Sequence, residues 1–184
     1  YIGSHTAVEL QNAGYEVIIV DNFSNSSIEV LDGIEKITGI KPAFEEFDLI
    51  EKKKVDSFFG KYPNIEAIIH FAAFKAVGES VANPIKYYRN NLDSLVNILE
   101  AMEQFNVPGI VFSSSCTVYG QPESLPVNEN APILKANSPY GNTKQISEEI
   151  IQDMLVASPK LKAIALRYFN PVGAHPTAII GELP

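Results

Sequence analysis

A tyrosine and a lysine four residues apart, Tyr140 and Lys144, form the strongest chemical signal in the 184-residue sequence. Ser138 is a favourable N-cap and Pro139 suits the first helical position, so a helix is predicted to begin here. Residues at i and i+4 share one helix face, and the ammonium group is expected to lower the pKa of the phenol. Such a phenol can act as a general base on a hydroxyl group. The same spacing also occurs in ordinary pairs on helix surfaces.

A run of serines supplies a second candidate group. Ser113, Ser114 and Ser115 follow the predicted strand Gly109–Ser113, and ligands bind at the carboxyl ends of strands in open α/β sheets. Ser115 could hydrogen-bond a hydroxyl group that is being oxidised and relay its proton. A serine-rich strand end can also be only a turn. The single cysteine, Cys116, has no basic neighbour in the sequence, which favours a small buried residue over a nucleophile.

The amino-terminal segment carries a dinucleotide-like pattern. Gly3 leads directly into a predicted helix, and Asp21 lies 18 residues later, at the end of the next predicted strand. A glycine at this point permits close packing of helix against strand, and a carboxylate after the second strand binds ribose hydroxyls. A carboxylate would also repel the additional phosphate of NADP, so the pattern favours NAD. An aspartate after a strand is also a common turn former.

Strands alternate with helices along the chain. The apolar runs predict strands at Glu16–Val20, Ile65–His70, Gly109–Ser113 and Leu161–Leu166, with a weaker candidate at Phe44–Phe47. The periodicity predicts helices at Ser4–Asn12, Pro84–Gln104 and Ser138–Leu155, and Gly14 is a plausible cap for the first of them. Gln121–Pro139 is predicted to be a loop. This order predicts a doubly wound α/β fold with a parallel sheet, that is, a Rossmann-like domain.

Composition excludes several classes of protein. Apolar residues make up 46% and charged residues 20%, which is typical of a globular domain, and the net charge is −8. An acidic balance disfavours nucleic acid as a partner, and the basic run Lys52–Lys54 is interpreted as a solvated helix face. No apolar run reaches the length of a membrane span. One cysteine requires no oxidising compartment, so a cytoplasmic location is expected. His5, His70 and His175 lack metal-like spacing, and no metal is expected.

Several longer strings resemble the extended short-chain dehydrogenases/reductases and, more narrowly, the UDP-glucose 4-epimerases. These strings are YIGSHT (Tyr1–Thr6), VDNFSNS (Val20–Ser26), HFAAFKAVGES (His70–Ser80), Asn90-Asn91, FSSSCTVYG (Phe112–Gly120), SPYGNTK (Ser138–Lys144) and RYFNPVGAHP (Arg167–Pro176). The resemblance extends over the whole chain in order. The tyrosine–lysine spacing alone marks the wider superfamily, whereas the third and last strings point to the epimerases.

The resemblance implies a role for individual residues. The catalytic residues would be Ser115, Tyr140 and Lys144. Cofactor contacts would come from Tyr1, Ile2, Gly3, Asp21, Asn22, Asn25, Ser26, Asp48, Leu49, Phe71, Ala72, Lys75, Asn90, Ser113, Tyr140, Lys144 and Phe169. Contacts with a UDP-sugar would come from Ser115, Thr117, Tyr140 and Asn170.

The resemblance also implies an activity. It is the reversible epimerisation of UDP-galactose and UDP-glucose at C4, in galactose metabolism, through a 4-keto intermediate and with tightly bound NAD. Tyr140 would take the proton of the C4 hydroxyl with Ser115 bridging, and Lys144 would also hold the nicotinamide ribose. A homodimer is expected, formed by the helices predicted at Pro84–Gln104 and Ser138–Leu155.

The resemblance further divides the chain. Residues 1–170 would form the NAD-binding domain, and residues 171–184 would begin the UDP-sugar-binding region. The first strand of the domain and its first glycines are absent from the sequence, which would leave a gap in the sheet. We therefore expect the 184 residues alone to be inactive and at best marginally folded, while a complete protein would be active.

Two other functions remain open at this point. A nucleotide-sugar 4,6-dehydratase or decarboxylase of the same superfamily is the nearest alternative. A dehydratase, however, would need an acidic pair just after the catalytic serine or threonine, where this chain has Cys116-Thr117-Val118. A non-catalytic NAD-binding scaffold is the alternative outside enzymes, and it would not need Ser115, Tyr140 and Lys144 together.

Overall fold

The computed structural model describes residues 1–182, so Leu183 and Pro184, at the end of the predicted 171–184 region, lie outside it. Its strands are β1 (Ile18–Asp21), β2 (Ala43–Glu46), β3 (Ile68–His70), β4 (Gly109–Ser115) and β5 (Lys162–Tyr168). Its helices are α1 (Ile2–Asn12), α2 (Glu29–Thr38), α3 (Lys52–Lys61), α4 (Val77–Ala82), α5 (Pro84–Gln104) and α6 (Pro139–Ala157), and a 3₁₀ turn covers Cys116–Tyr119.

The chain divides into two compact units. The first contains Tyr1–Asp48 and the segment from Asn170 onwards, and the second contains Leu49–Phe169. The first unit holds a sheet of the order β1-β2, and the second holds a sheet of the order β3-β4-β5. Every strand pair is parallel, and helices connect successive strands, so the predicted α/β class is confirmed.

The carboxyl ends of β4 and β5 extend further than predicted. Ser114 pairs with Arg167 and Ser115 pairs with Tyr168, so both strands continue past the residues at which the apolar runs stop. The prediction ended these strands early because apolar content alone does not register backbone pairing. Ser115 is therefore the last residue of a paired strand and not part of a free turn.

The other strands differ at their boundaries for the same reason. β1 starts at Ile18 because its partner β2 starts at Ala43. The predicted strand from Ile65 is reduced to β3, since only its last residues, Ile68–His70, pair with β4. The weak candidate at Phe44–Phe47 is a true strand, β2, displaced by one residue.

The helix predictions succeed where caps and periodicity agree. α5 has the predicted bounds, and α6 begins at Pro139 with Ser138 as its N-cap. Gly14, at φ 87°, forms the expected end of α1, because its N–H donates to Gln11 and that of Tyr15 donates to Leu10. α1 itself starts earlier than predicted, at Ile2, since the Tyr1 carbonyl accepts from the His5 N–H.

Two helices, α2 and α4, were not predicted, and α3 was indicated only by the interpretation of its basic run as a helix face. α2 buries Leu31 and Ile34 and ends at Gly39, whose φ is 73°, so its cap was readable from the sequence. α3 buries Val55 and Phe59, and the basic run Lys52–Lys54 forms its first turn, as interpreted. α4 is a short helix that exposes most of its side chains, and no periodic pattern marks it.

Each unit has its own apolar core. In the first unit the buried residues Ala7, Val8, Ile34 and Ile180 pack together, with Val17, Ile19 and Ile37 around them. In the second unit α6 packs against β4 and α5 packs against α6, and Ile110 and Phe112 of β4 are fully buried. Among residues 1–182 no helix is long and apolar enough to cross a bilayer.

Candidate active site

Ser115 is held at the carboxyl end of β4 by contacts on both sides. Ser115 is buried, and its hydroxyl oxygen accepts a hydrogen bond from the backbone N–H of Thr117, which fixes the start of the 3₁₀ turn. The backbone carbonyl of Ser113 accepts a hydrogen bond of 2.7 Å from Lys144 Nζ. The strand end and α6 are thus joined directly at the predicted serines.

Helix α6 places Tyr140 and Lys144 beside that strand end. The Ser138 hydroxyl accepts the N–H of Gly141, so Tyr140 lies in the first turn, as predicted. Lys144 is only 4% exposed, and its ammonium nitrogen lies 4.7 Å from the centre of the Phe112 ring and 6.0 Å from that of Tyr140. The two predicted catalytic side chains therefore share one helix face and face β4.

The expected effect of Lys144 on the phenol is not observed. Burial raises the pKa of Tyr140, and this outweighs the lowering effects of a hydrogen bond with the Ser115 side chain and of the positive charge of Lys75. Lys144 directs its proton to a carbonyl, and burial lowers its own pKa to about 8. The spacing of the pair was predicted correctly, but spacing does not reveal how dry the site is.

The segment that precedes α4 is fixed by Asn91. Its side-chain oxygen accepts the Phe74 N–H at 2.9 Å, and its amide nitrogen donates to the Phe74 carbonyl and to Thr143 Oγ1 at 3.0 and 3.1 Å. Asn90 Nδ2 donates to the same Asn91 oxygen. Asn91 thus connects α5, α6 and the segment that carries the predicted cofactor residues Phe71, Ala72 and Lys75, of which the last two are exposed.

In the first unit a carboxylate cluster lies at the end of β1. Asp21 Oδ1 accepts the Phe23 N–H at 2.7 Å and the Ser26 hydroxyl at 2.8 Å. Asn22 Nδ2 donates to Asp48 Oδ2 at 2.9 Å, which joins the ends of β1 and β2. These four polar residues were all predicted as cofactor contacts, and the structure brings them together.

The remaining predicted residues occupy less enclosed positions. In the first unit Tyr1, Ile2 and Gly3 are half-buried at the start of α1, and Asn25 and Asn170 are exposed. In the second unit Leu49 is half-buried and Phe169 is exposed after β5. Thr117 is half-buried, and its hydroxyl oxygen is buried without a hydrogen-bond partner. Cys116 is half-buried on the 3₁₀ turn, not fully buried as expected.

Comparison with known proteins identifies the family. The model of the NAD-dependent epimerase/dehydratase family matches residues 1–182. The chain belongs to the NAD-dependent epimerase/dehydratase family. The resemblance inferred from the sequence strings is thereby confirmed at the level of the family.

Relatives within the NAD-dependent epimerase/dehydratase family are close in sequence. The chain is 54% identical to the UDP-glucose 4-epimerase of Bacillus subtilis (strain 168), over 100% of this chain and 54% of that protein. It is 50% identical to the UDP-glucose 4-epimerase of Dictyostelium discoideum, over 100% of this chain and 53% of that protein. The chain thus spans about half the length of the curated relatives it matches.

Solved structures in this family have the same fold. The UDP-glucose 4-epimerase of Bifidobacterium longum, in complex with NAD+ and UDP, superposes with a TM-score of 0.97 at 47% identity, covering 99% of this chain and 54% of that one. The enzyme of Stenotrophomonas maltophila, with bound NAD and formylated UDP-arabinopyranose, has a TM-score of 0.95 at 43% identity, covering 100% and 54%.

Sequence reasoning within this family missed several residues at the site. Asn91 stands in the quoted Asn90-Asn91 string, but only Asn90 was predicted as a cofactor contact. Glu148 follows Lys144 at the same spacing that joins Lys144 to Tyr140, and this repeat was a usable signal. Arg167 is half-buried and pairs with Glu148, and no local pattern indicated that pairing, because 19 residues separate them.

Proposed function

We propose that the complete protein interconverts UDP-galactose and UDP-glucose at C4 through a 4-keto intermediate, using bound NAD. The observation that carries the proposal is the arrangement of Ser115, Tyr140 and Lys144 at the carboxyl end of β4, in which the serine and the lysine are buried and the tyrosine is half-buried. The named relatives and the ligands of the superposed structures support the same substrate class.

The residues at the end of β1 fit NAD by their chemistry. The Asp21 carboxylate is oriented through Oδ1 by an N–H and a hydroxyl, and it can accept hydrogen bonds from ribose hydroxyls. Its charge would repel the additional phosphate of NADP. When bound, NAD supplies the acceptor and later the donor of the hydride at C4. Tyr1, Ile2, Gly3, Asn22, Asn25, Ser26, Asp48, Leu49, Phe71, Ala72, Lys75, Asn90, Ser113 and Phe169 complete the cofactor residues that we propose.

Proton transfer falls to Tyr140 and Ser115. Tyr140 removes the proton of the C4 hydroxyl while Ser115 bridges the two oxygens, and the same residues return the proton after the keto sugar has turned over. The pKa of Tyr140 is raised by burial, so the phenolate depends on stabilisation by the Ser115 hydrogen bond and by the charge of Lys75. Lys144 holds the strand end through the Ser113 carbonyl and is proposed to bind the nicotinamide ribose.

Two further residues are proposed to contact the UDP-sugar. The hydroxyl oxygen of Thr117 is buried without a partner, and a polar group of the ligand could satisfy it. Asn170 follows Phe169 and is exposed. We divide the chain accordingly into an NAD-binding part, residues 1–170, and the beginning of the UDP-sugar region, residues 171–184.

A homodimer is part of the proposal. α5 exposes Ile85, which is 72% accessible, and Val96, while α6 exposes Val156. Apolar side chains on two adjacent helices are typical of an interface between subunits. Ile85→Glu in the complete protein should lower the molar mass measured by light scattering. A cytoplasmic location is also proposed, because a single cysteine does not call for an oxidising compartment.

The test is the conversion of UDP-galactose by the complete protein without added NAD. We expect UDP-glucose to form, and we expect Tyr140→Phe to abolish its formation. Conversion that depends on Tyr140 would support both the epimerase activity and a cofactor retained through purification. A 4-keto-6-deoxy product from a nucleotide sugar would instead assign the protein to the dehydratases of the same family. If neither product forms, the NAD-binding scaffold remains as the function.

A further inference from the structure

Helix α6 carries a third polar residue at the spacing that relates Tyr140 to Lys144. Glu148 follows Lys144 by four positions, so the three side chains form one stripe along the helix. Each member of this stripe meets a different serine at the end of β4. The partners are Ser115 for Tyr140, Ser113 for Lys144 and Ser114 for Glu148.

Glu148 is a buried carboxylate with every contact directed inwards. It is 5% exposed, and its Oε1 accepts the Ser114 hydroxyl at 2.5 Å and Arg167 Nε at 3.0 Å. Its Oε2 accepts Arg167 Nη2 at 2.7 Å. Burying such a pair brings little net stability compared with apolar side chains of similar volume. Two parallel hydrogen bonds do, however, define the orientation of both groups.

Arg167 extends this contact to the other side of Ser115. It pairs in register with Ser114, so both side chains lie on the same face of the sheet. Its guanidinium also lies 4.8 Å from the centre of the Tyr119 ring, at the end of the 3₁₀ turn. The pair therefore holds the residue before Ser115 and the turn that follows it.

We infer that Glu148 and Arg167 form a positioning pair that sets the place of Ser115 relative to Tyr140. Ser114 and Ser115 point to opposite faces of β4, because successive residues of a strand alternate. Glu148 of α6 contacts Ser114. A hydrogen bond at Ser114 fixes the peptide that carries Ser115. This inference rests on the proposed function for its consequence in catalysis.

A ligand-binding role fits the same residues less well. A cleft of about 620 Å³ opens beside the pair and is lined by Tyr119, Arg167 and Phe169 among others. The guanidinium that faces the cleft is already neutralised by Glu148 through two hydrogen bonds. An anionic ligand would have to break that bidentate pair, which is costly for a buried carboxylate.

The test removes the Ser114 hydrogen bond and leaves the ion pair intact. In the complete protein, Ser114→Ala should lower kcat about fivefold to tenfold, the loss typical of one hydrogen bond. The KM for UDP-galactose should stay unchanged, and the temperature of unfolding should fall by only the few degrees that the loss of one hydrogen bond costs. Ser114→Thr keeps the hydroxyl and should restore kcat. A second variant, Glu148→Gln, weakens the ion pair itself. Glu149→Gln is its matched control, because Glu149 is exposed on the same helix and the substitution removes the same charge.

A second measurement follows Tyr140 directly. The ionisation of this phenol is obtained from the absorbance titration of the protein minus that of Tyr140→Phe. The Ser115 hydrogen bond lowers the pKa of Tyr140, so a displaced Ser115 should shift this ionisation to higher pH in Ser114→Ala. Glu148→Gln should shift it in the same direction, and Glu149→Gln should not shift it.

The two measurements separate this inference from the proposed function. An ionisation that moves in Ser114→Ala supports the positioning role even if the unmodified protein converts no UDP-galactose, in which case only the epimerase activity fails. An ionisation that stays in place, together with an unchanged kcat in an active protein, overturns the positioning role. The positioning role is also overturned if kcat falls, the free energy of unfolding falls by a comparable amount, and the ionisation of Tyr140 does not shift.

Discussion

The carboxyl ends of β4 and β1 hold their polar side chains in different ways. At β4 Ser114 and Ser115 are buried. The partners of this strand end come from far along the chain, such as Lys144 for Ser113 and Glu148 for Ser114. At β1 the main contacts of Asp21 reach only to Phe23 and Ser26, and the latter is exposed. The first arrangement suits proton transfer, which depends on a dry and fixed geometry, and the second suits the binding of hydroxyl groups at a wet surface.

The largest effect should come from the phenol at the buried end. Tyr140→Phe removes the group that takes the proton, and we expect kcat to fall by about 10²- to 10⁴-fold, the range typical of general acid–base catalysis. Steady-state conversion of UDP-galactose measures this. Tyr15→Phe is the control, because Tyr15 is exposed and belongs to the first unit, which does not contain β4. A Tyr140→Phe variant with normal kcat would contradict the claim that the carboxyl end of β4 carries out proton transfer.

The next largest effect is expected on the free energy of unfolding, at Gly120, which follows the 3₁₀ turn after β4. Gly120 has φ 63° and ψ −130°, and an added Cβ would lie 2.6 Å from the Lys135 carbonyl oxygen. Gly120→Ala should lower the free energy of unfolding by about 3 kcal/mol through backbone strain and this clash. Gly60→Ala, in α3 with no neighbour within 4 Å of the new Cβ, should raise it by up to about 1 kcal/mol. Urea unfolding compares the two, and equal midpoints would argue against a tightly packed turn.

Acid should destabilise the buried region through His70. Burial, with a smaller contribution from the charge of Lys144, lowers the pKa of His70 from 6.5 to about 3. Between these values the unfolded chain binds more protons than the folded protein, so stability falls as the pH falls through this window. The loss should be about 2 kcal/mol between pH 7 and pH 5.

His70→Phe should remove that loss, since a phenyl ring can keep the stacking of His70 on Phe112. Urea midpoints at the two pH values measure the difference, and His175→Gln serves as the control because His175 is less buried. His175→Gln should keep the acid sensitivity of the unmodified protein. If His70→Phe keeps it as well, His70 is more accessible to water than a buried strand end allows.

The smallest effect is expected at the exposed end. Asp21→Asn keeps an oxygen for the Phe23 N–H but loses the charge, so the affinity for NAD should fall about tenfold with kcat unchanged at saturating NAD. Titration of cofactor-free protein measures the affinity, with Asp32→Asn, an exposed residue of α2, as the control. A fall in kcat without a change in affinity would give Asp21 a chemical role and make the two ends alike.

The sequence alone determined those features that depend on local chain chemistry. Ser138 and Pro139 marked the start of α6, the spacing of Tyr140 and Lys144 put both on one face, and the apolar runs identified parallel strands. These signals are local because hydrogen bonds within a helix turn, and the caps at its ends, join residues close in sequence. The longer strings also identified the family.

Only the tertiary structure decided how the site is closed. The extension of β4 to Ser115 depends on pairing with Tyr168, and the partner of Glu148 lies 19 residues away in β5. The direction of the pKa shift of Tyr140 depends on burial, which many distant residues create together. Pairing, ion contacts and desolvation arise between segments that the sequence separates, so no local pattern can record them.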